Sequence, residues 1–168
     1  MADDELPADP FDRAVAEWRR ERPDLADPEV MGELARLAAV VDRAKAQLED
    51  VHGGHGLRLG EFDVLASLRR AGPPFRRTPS ALARAVLLSP AAMTNRVDRL
   101  EARGLVRRRP DPDDRRASLV ELTAKGRRIV DRALDDHVAA EHALVARLSG
   151  PERRALDRAV RRLAQEWW

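Results

Sequence analysis

Three features of the sequence predict a mainly α-helical fold that carries a small β-ribbon. Apolar residues recur at steps of three and four along most of the chain. Pro28, Pro79 and Pro90 each follow a residue able to cap a helix, Asp27, Thr78 and Ser89. The strand-like stretches, residues 105–109 and 117–122, are separated by Pro110-Asp111-Pro112-Asp113-Asp114.

A length of 168 residues suits one functional unit. The 31 Lys and Arg nearly balance 29 Asp and Glu, for a formal net charge of +2, so recognition of nucleic acid would depend on where the arginines sit. With no cysteine, the chain has no disulfide, thiolate metal site or thiol redox sensor. The opening MADDELPADPFD lacks the basic and apolar regions of a secretory signal, and no run reaches the ~20 apolar residues of a membrane helix. A cytoplasmic protein without a membrane partner is expected.

Residues 1–10 are acidic and are expected to be loose. Phe11, Val15 and Trp18 then predict a short amphipathic helix ending near Arg22-Pro23. From Pro28, the residues Val30, Leu34, Leu37, Val41, Ala44, Leu48 and Val51 form a narrow seam suited to another long helix. HGGHG, residues 52–56, is expected to break this helix as a flexible loop; His52 and His55 lack the carboxylate cluster that would make them a metal site. A helix over about 59–71 turns Phe62, Leu65 and Leu68 inward, with Asp63 beside that apolar face. A long helix is expected from Thr123 towards Leu148, and Ser149 with Glu152 forms a capping box for the last one, which carries Leu156, Val160, Leu163 and Trp167. His137 and His142 fall on the long helix and receive no role.

The chemistry concentrates between Thr78 and Leu122. Thr78 and Pro79 open a short helix, Leu87-Leu88 turn the chain, and Ser89 with Pro90 open a second helix that Gly104 ends. Met93, Val97 and Leu100 share its inner face, while Ala91, Thr94, Asn95, Asp98 and Arg99 lie on or near the outer one. Small residues let such a helix enter a major groove, where Asn95 and Arg99 reach base edges or phosphates. The ribbon follows directly, with Arg115 and Arg116 at its tip placed for a minor groove and Asp114 holding their guanidinium groups. Together these describe a winged helix-turn-helix that binds double-stranded DNA through Ala91, Thr94, Asn95, Arg99, Arg115 and Arg116. The competing reading is a solvated helix face and a solvated loop.

Two further arginines point the other way. Arg96 shares the inner side with Met93 and Leu100, where an unpaired charge is costly, and Asp63 is the expected partner. Arg108 alternates with outward Arg107 and Arg109. One aspartate with two arginines leaves positive charge for a planar anion, with Trp18 as an apolar wall; a fixed salt-bridge network beside a core tryptophan fits the spacing equally well.

SPAAMTNRVDRLEARGLVRR and DPDDRRASLVELTAKG resemble the recognition helix and wing of the MarR family of bacterial transcription regulators, and the likeness extends over nearly all of the chain after residue 10. The resemblance implies a homodimer built by N- and C-terminal helices, a palindromic operator with reading helices about 34 Å apart, and a small-molecule effector that weakens DNA binding. It divides the chain into a loose segment at 1–10, an extra helix and a dimerisation helix at 11–58, a DNA-binding lobe at 59–122 and C-terminal dimerisation helices at 123–168. The extra helix with Trp18 is similar to the urate-responsive, PecS-like branch, which implies a ligand set of Trp18, Asp63, Arg96 and Arg108 and a repressor released by urate or a related purine. A different small aromatic anion is the alternative effector, and a helical interaction module without DNA binding is the alternative class. No nucleophile motif, metal cluster or phosphate-cradling glycine loop supports an enzyme, and no cofactor is expected.

Overall fold

A computed structural model of the chain describes residues 7–112 and 118–165, arranged as seven helices and three strands among them. In chain order the elements are α1 (Pro10–Glu21), α2 (Glu29–Gly54), α3 (Leu59–Arg70), β1 (Arg76–Arg77), α4 (Pro79–Ala85), α5 (Pro90–Ala102), β2 (Val106–Pro110), β3 (Ser118–Leu122), α6 (Ala124–Val145) and α7 (Gly150–Ala164). They fall into two compact units, Met1–Ala46 and Gln47–Trp168. The mainly α fold with a small antiparallel sheet is the expected class.

In the first unit, residues 1–6 lie outside the described residues, and Asp9, at the end of the segment 1–10 expected to be loose, is the N-cap of α1. Its Oδ1 accepts the amide N–H groups of Phe11 (2.8 Å) and Asp12 (3.0 Å), capping α1, and its Oδ2 accepts Arg36 Nε at 2.6 Å. These bonds, led by Arg36, hold the Asp9 pKa down to about 2. α1 lies close on α2: a Cβ at Gly32 would stand 2.9 Å from a Val15 methyl.

In the second unit, the caps predicted at Thr78, Ser89 and Ser149 are in place, and Thr123 caps the long helix expected to begin there. Thr78 Oγ1 accepts from Ala81 N (3.2 Å), Ser89 Oγ from Ala92 N (3.3 Å) and Thr123 Oγ1 from Gly126 N (3.0 Å). Ser149 N donates to Glu152 Oε2 at 2.7 Å in the expected capping box. Gly104 takes φ 69° after α5, a left-handed conformation that a glycine adopts without a Cβ penalty. The core joins Leu65, Leu68, Leu82, Met93, Leu100 and Val130, which are fully buried. The sheet has three strands rather than two, in the order β1-β3-β2: Arg76 and Arg77 pair with Glu121 and Val120, beside the expected β2–β3 ribbon.

The HGGHG segment is not the flexible loop expected from its glycines. α2 continues through His52 to Gly54, and His52 is completely buried. Its ring stacks on Phe62, with centroids 4.0 Å apart, and its Nε2 shares a hydrogen bond with His137 Nδ1 at 3.1 Å. His55 Nε2 in turn meets Asp136 Oδ2 at 2.7 Å, while His137 Nε2 lies 3.2 Å from Glu141 Oε1. The burial of an aromatic stack outweighs the weak helix preference of Gly53 and Gly54.

Burial, and then the neighbouring His137 and His55, push the His52 pKa down from 6.5 to about 4. In this window the unfolded chain binds a proton that the folded chain refuses. The contribution to stability is therefore complete above pH 6.5 and is lost as the pH falls through that value towards 4. His52→Phe is expected to keep the stack and flatten the thermal-midpoint-versus-pH curve between 4 and 6.5; a curve parallel to that of the parent would contradict this account.

Candidate functional site

α5 is the element around which the second unit's chemistry gathers. Met93, Val97 and Leu100 anchor it in the core. Ala91, Thr94, Asn95 and Arg99 are exposed, as expected for an outer reading face, and Thr94 Oγ1 is engaged with Pro90 O at 3.1 Å. Asp114, Arg115 and Arg116 lie outside the described residues.

The remaining side chains of α5 face two neighbours. Towards α3, Arg96, Arg99 and Arg103 form one stripe against its first turn. The guanidinium of Arg96 lies flat on Gly60, where a Cβ would stand 2.2 Å from Arg96 Cζ, and its Nη1 donates to Gly60 O at 3.3 Å. Glu61, only 4% exposed, takes the other two arginines: Arg103 Nη1 donates to Oε2 at 3.0 Å, and Arg99 Nε stands 3.6 Å from Oε1. Glu61 Oε2 also accepts the Arg58 amide N–H at 3.1 Å, and Arg103 Nη2 donates to Gly56 O at 2.6 Å. A buried carboxylate is tolerable because it is paired and hydrogen-bonded in this way.

Towards the wing, Arg108 on β2 bonds both Asp98 and Glu101 of α5, and its backbone N–H donates to Glu101 Oε1 at 2.7 Å. These carboxylates, Asp98 first, raise the guanidinium pKa above its ordinary value. On the opposite face of the sheet, Glu121 accepts Arg107 Nη2 at 2.5 Å and has Arg109 Nε at 3.7 Å.

The expected pairing of Asp63 with Arg96 is therefore revised. Asp63 is half-buried, and among the described residues no side-chain cation stands within ion-pair distance of it. Burial raises its pKa, opposed by the fields of Arg96 and His137. Arg96 is near enough to be felt by Asp63 but gives its hydrogen bond to Gly60, because the missing Cβ lets the planar guanidinium settle on the backbone. Arg108 takes the carboxylates of α5 rather than Asp63, since the β2 register places it beside Asp98 and Glu101. Trp18 belongs to the first unit, on α1, and is 43% exposed. Sequence reasoning missed Gly60 and Glu61; the signal for them was the arginine stripe at 96, 99 and 103, whose spacing of three and four requires an acceptor on one neighbouring element. Among the described residues no group of three or more His, Asp or Glu is placed to hold a metal, and no helix is long and apolar enough to cross a membrane.

A capped short helix, a tight turn, a second helix with an exposed small and polar face, and a ribbon tied to that helix define the winged helix-turn-helix class of transcription regulators. Comparison with known proteins narrows this. A model described as the MarR family matches residues 55–117. The regulator PecS of Dickeya dadantii (strain 3937) is 38% identical over 141 residues, covering 83% of this chain and 83% of PecS. Among solved structures, AbsC, a MarR family transcriptional regulator from Streptomyces coelicolor, superposes with a TM-score of 0.76 at 26% identity, over 85% of this chain and 96% of AbsC. Bordetella bronchiseptica BpsR, whose DNA binding is regulated by 6-hydroxynicotinic acid, gives 0.69 at 26% identity, over 77% and 91%. The chain belongs to the MarR family of helix-turn-helix transcriptional regulators, and its relatives are regulators rather than enzymes.

Gly60→Ala tests the seat of Arg96. The new methyl displaces only the flexible end of an arginine and gains helix preference of about 0.5–1 kcal/mol, so stability is expected to change by less than about 1 kcal/mol. The Arg96 side-chain N–H resonance is expected to move; an unmoved resonance would show that the guanidinium does not rest there.

Proposed function

We propose that this chain is a homodimeric repressor that binds a palindromic DNA operator and is released from it by a small planar anion, urate or a related purine. The observation that carries the ligand reading is the half-buried Arg96 guanidinium, held by one long bond to Gly60 O beside an Asp63 whose carboxyl is already costly to ionise. A planar anion offers Arg96 two parallel acceptors where Gly60 offers one. A weakly acidic N–H of the ligand in turn suits the Asp63 carboxylate.

Arg108 gives the ligand a route to DNA affinity. It braces β2 to α5 through Asp98 and Glu101, so a ligand that draws it away loosens the wing from the reading helix. Such a ligand weakens DNA binding only as far as it prefers the loosened arrangement. Trp18 stays in the proposed ligand set on the likeness to the PecS-like branch. The DNA-reading set is Ala91, Thr94, Asn95 and Arg99, joined by Arg115 and Arg116 with Asp114 as their support.

The dimer is supported by apolar side chains left uncovered in each unit. On α2, Val30, Met31, Leu34, Leu37, Val40 and Val41 are 38–64% exposed, and on α7, Leu156, Val160 and Leu163 are 43–59% exposed. Patches of this kind mark association surfaces. Division at 58/59 and 122/123 into a dimerisation part, a reading lobe and a second dimerisation part belongs to the same proposal.

A second reading keeps the regulator and changes the effector. The dependence of BpsR on 6-hydroxynicotinic acid favours a different small aromatic anion at the Arg96 seat.

The test is duplex binding, by fluorescence anisotropy, with a sequence selected from a randomised pool on this protein. Saturating urate is expected to weaken binding about tenfold, within the usual range of coupling between two sites. Arg96→Gln is expected to bind the duplex and ignore urate. Unchanged affinity at saturating urate would remove urate as the effector.

A further inference from the structure

Glu61 carries no part of the function proposed above, yet it is a buried carboxylate with two arginines of the reading helix turned towards it. Its two oxygens are used unequally. Oε2 is saturated, accepting the Arg58 amide N–H at 3.1 Å and Arg103 Nη1 at 3.0 Å, and Arg103 is fixed a second time by Gly56 O at 2.6 Å. Oε1 faces Arg99 Nε at 3.6 Å, beyond hydrogen-bond length, and the Arg99 side chain is 48% exposed while that of Glu61 is 5% exposed. Arg103 alone keeps the carboxylate paired, so Arg99 can leave without stranding a buried charge.

We infer that Glu61 is a positioning residue for DNA recognition: it holds Arg99 back against α3 until a phosphate stands beside the fully seated helix, so the pair sets specificity more than affinity. This rests on the DNA-reading function proposed above. On an arbitrary duplex the protein is held by the general attraction of its basic groups to the backbone, and no single phosphate is fixed closely enough to outcompete a carboxylate in a low-dielectric setting. On a matched duplex the base contacts fix the helix, and the phosphate at its flank is presented in register with Arg99. Arg99 then exchanges an ion pair longer than a hydrogen bond for a charge-assisted bond to phosphate, while Arg103 remains on Glu61.

The experiment compares a duplex selected from a randomised pool with a scrambled duplex of the same length, as a function of salt. Glu61→Gln keeps an acceptor for Arg58 and Arg103 but removes the charge that holds Arg99. It is expected to tighten scrambled-duplex binding about threefold or more and to steepen the salt dependence by about 0.9 per protomer, while the selected duplex gains less than about twofold. Arg99→Gln, at an exposed position with little effect on folding, is expected to weaken the selected duplex about tenfold and the scrambled one less than about twofold. The double variant is expected to match Arg99→Gln on the scrambled duplex. Equal losses on both duplexes for Arg99→Gln, or a Glu61→Gln effect that persists without Arg99, would overturn the inference. Parent protein that fails to distinguish the two duplexes would instead remove the DNA-reading function beneath it.

Discussion

The second unit depends on the contact between the first turn of α3 and the arginine stripe of α5. Glu61 is the centre of that contact, because a carboxylate with 4% exposure must be paired, and the pairs it takes fix the roll of α5 about its own axis. Gly60 permits the contact by leaving room for a guanidinium on bare backbone. With Met93, Val97 and Leu100 in the core below, these polar contacts determine that Ala91, Thr94 and Asn95 face outward. The apolar anchors set the depth of the helix, and the ion pairs set its orientation.

The opposite flank of α5 is held by different chemistry. Arg108 reaches from β2 to Asp98 and Glu101, so the wing strand is tied to the helix by partly exposed charges rather than by a buried one. Partly exposed pairs contribute little each, about 0–1 kcal/mol, and exchange partners readily. On the α3 flank the buried Glu61–Arg103 pair is the fixed contact, while Arg96 and Arg99 there and Arg108 on the wing flank are held by contacts that exchange more readily. The effector proposed above, acting through Arg96 and Arg108, would bear on both flanks of α5.

Much of this fold was legible in the sequence, because caps and periodicity are local. Thr78, Ser89 and Ser149 all cap where their sequence context placed them, and Thr123, expected to begin the long helix, caps it. Partner choice was less legible. The spacing of Arg96 identifies its face but not whether it meets Asp63, Gly60 or Glu61, since helical periodicity says nothing about the neighbouring element's rotation. His52 was misread for a related reason: Gly53 and Gly54 lower local helix preference, whereas its stack on Phe62 arises from a residue ten positions away. The two-residue β1 is too short to carry a periodic signal, and Asp9 was hidden in an acidic segment whose partner, Arg36, is distant in sequence.

The central claim of the proposed function is that ligand and DNA binding are coupled through Arg96 and Arg108, which contact the protein rather than DNA and sit on the reading helix and the wing strand. Binding of two ligands to coupled sites is reciprocal. Isothermal titration of urate into the free protein and into protein saturated with its selected duplex tests this directly. Urate is expected to bind the duplex-bound protein more weakly, by the same factor by which urate weakens duplex binding. Equal urate affinity in the two states would contradict the coupling.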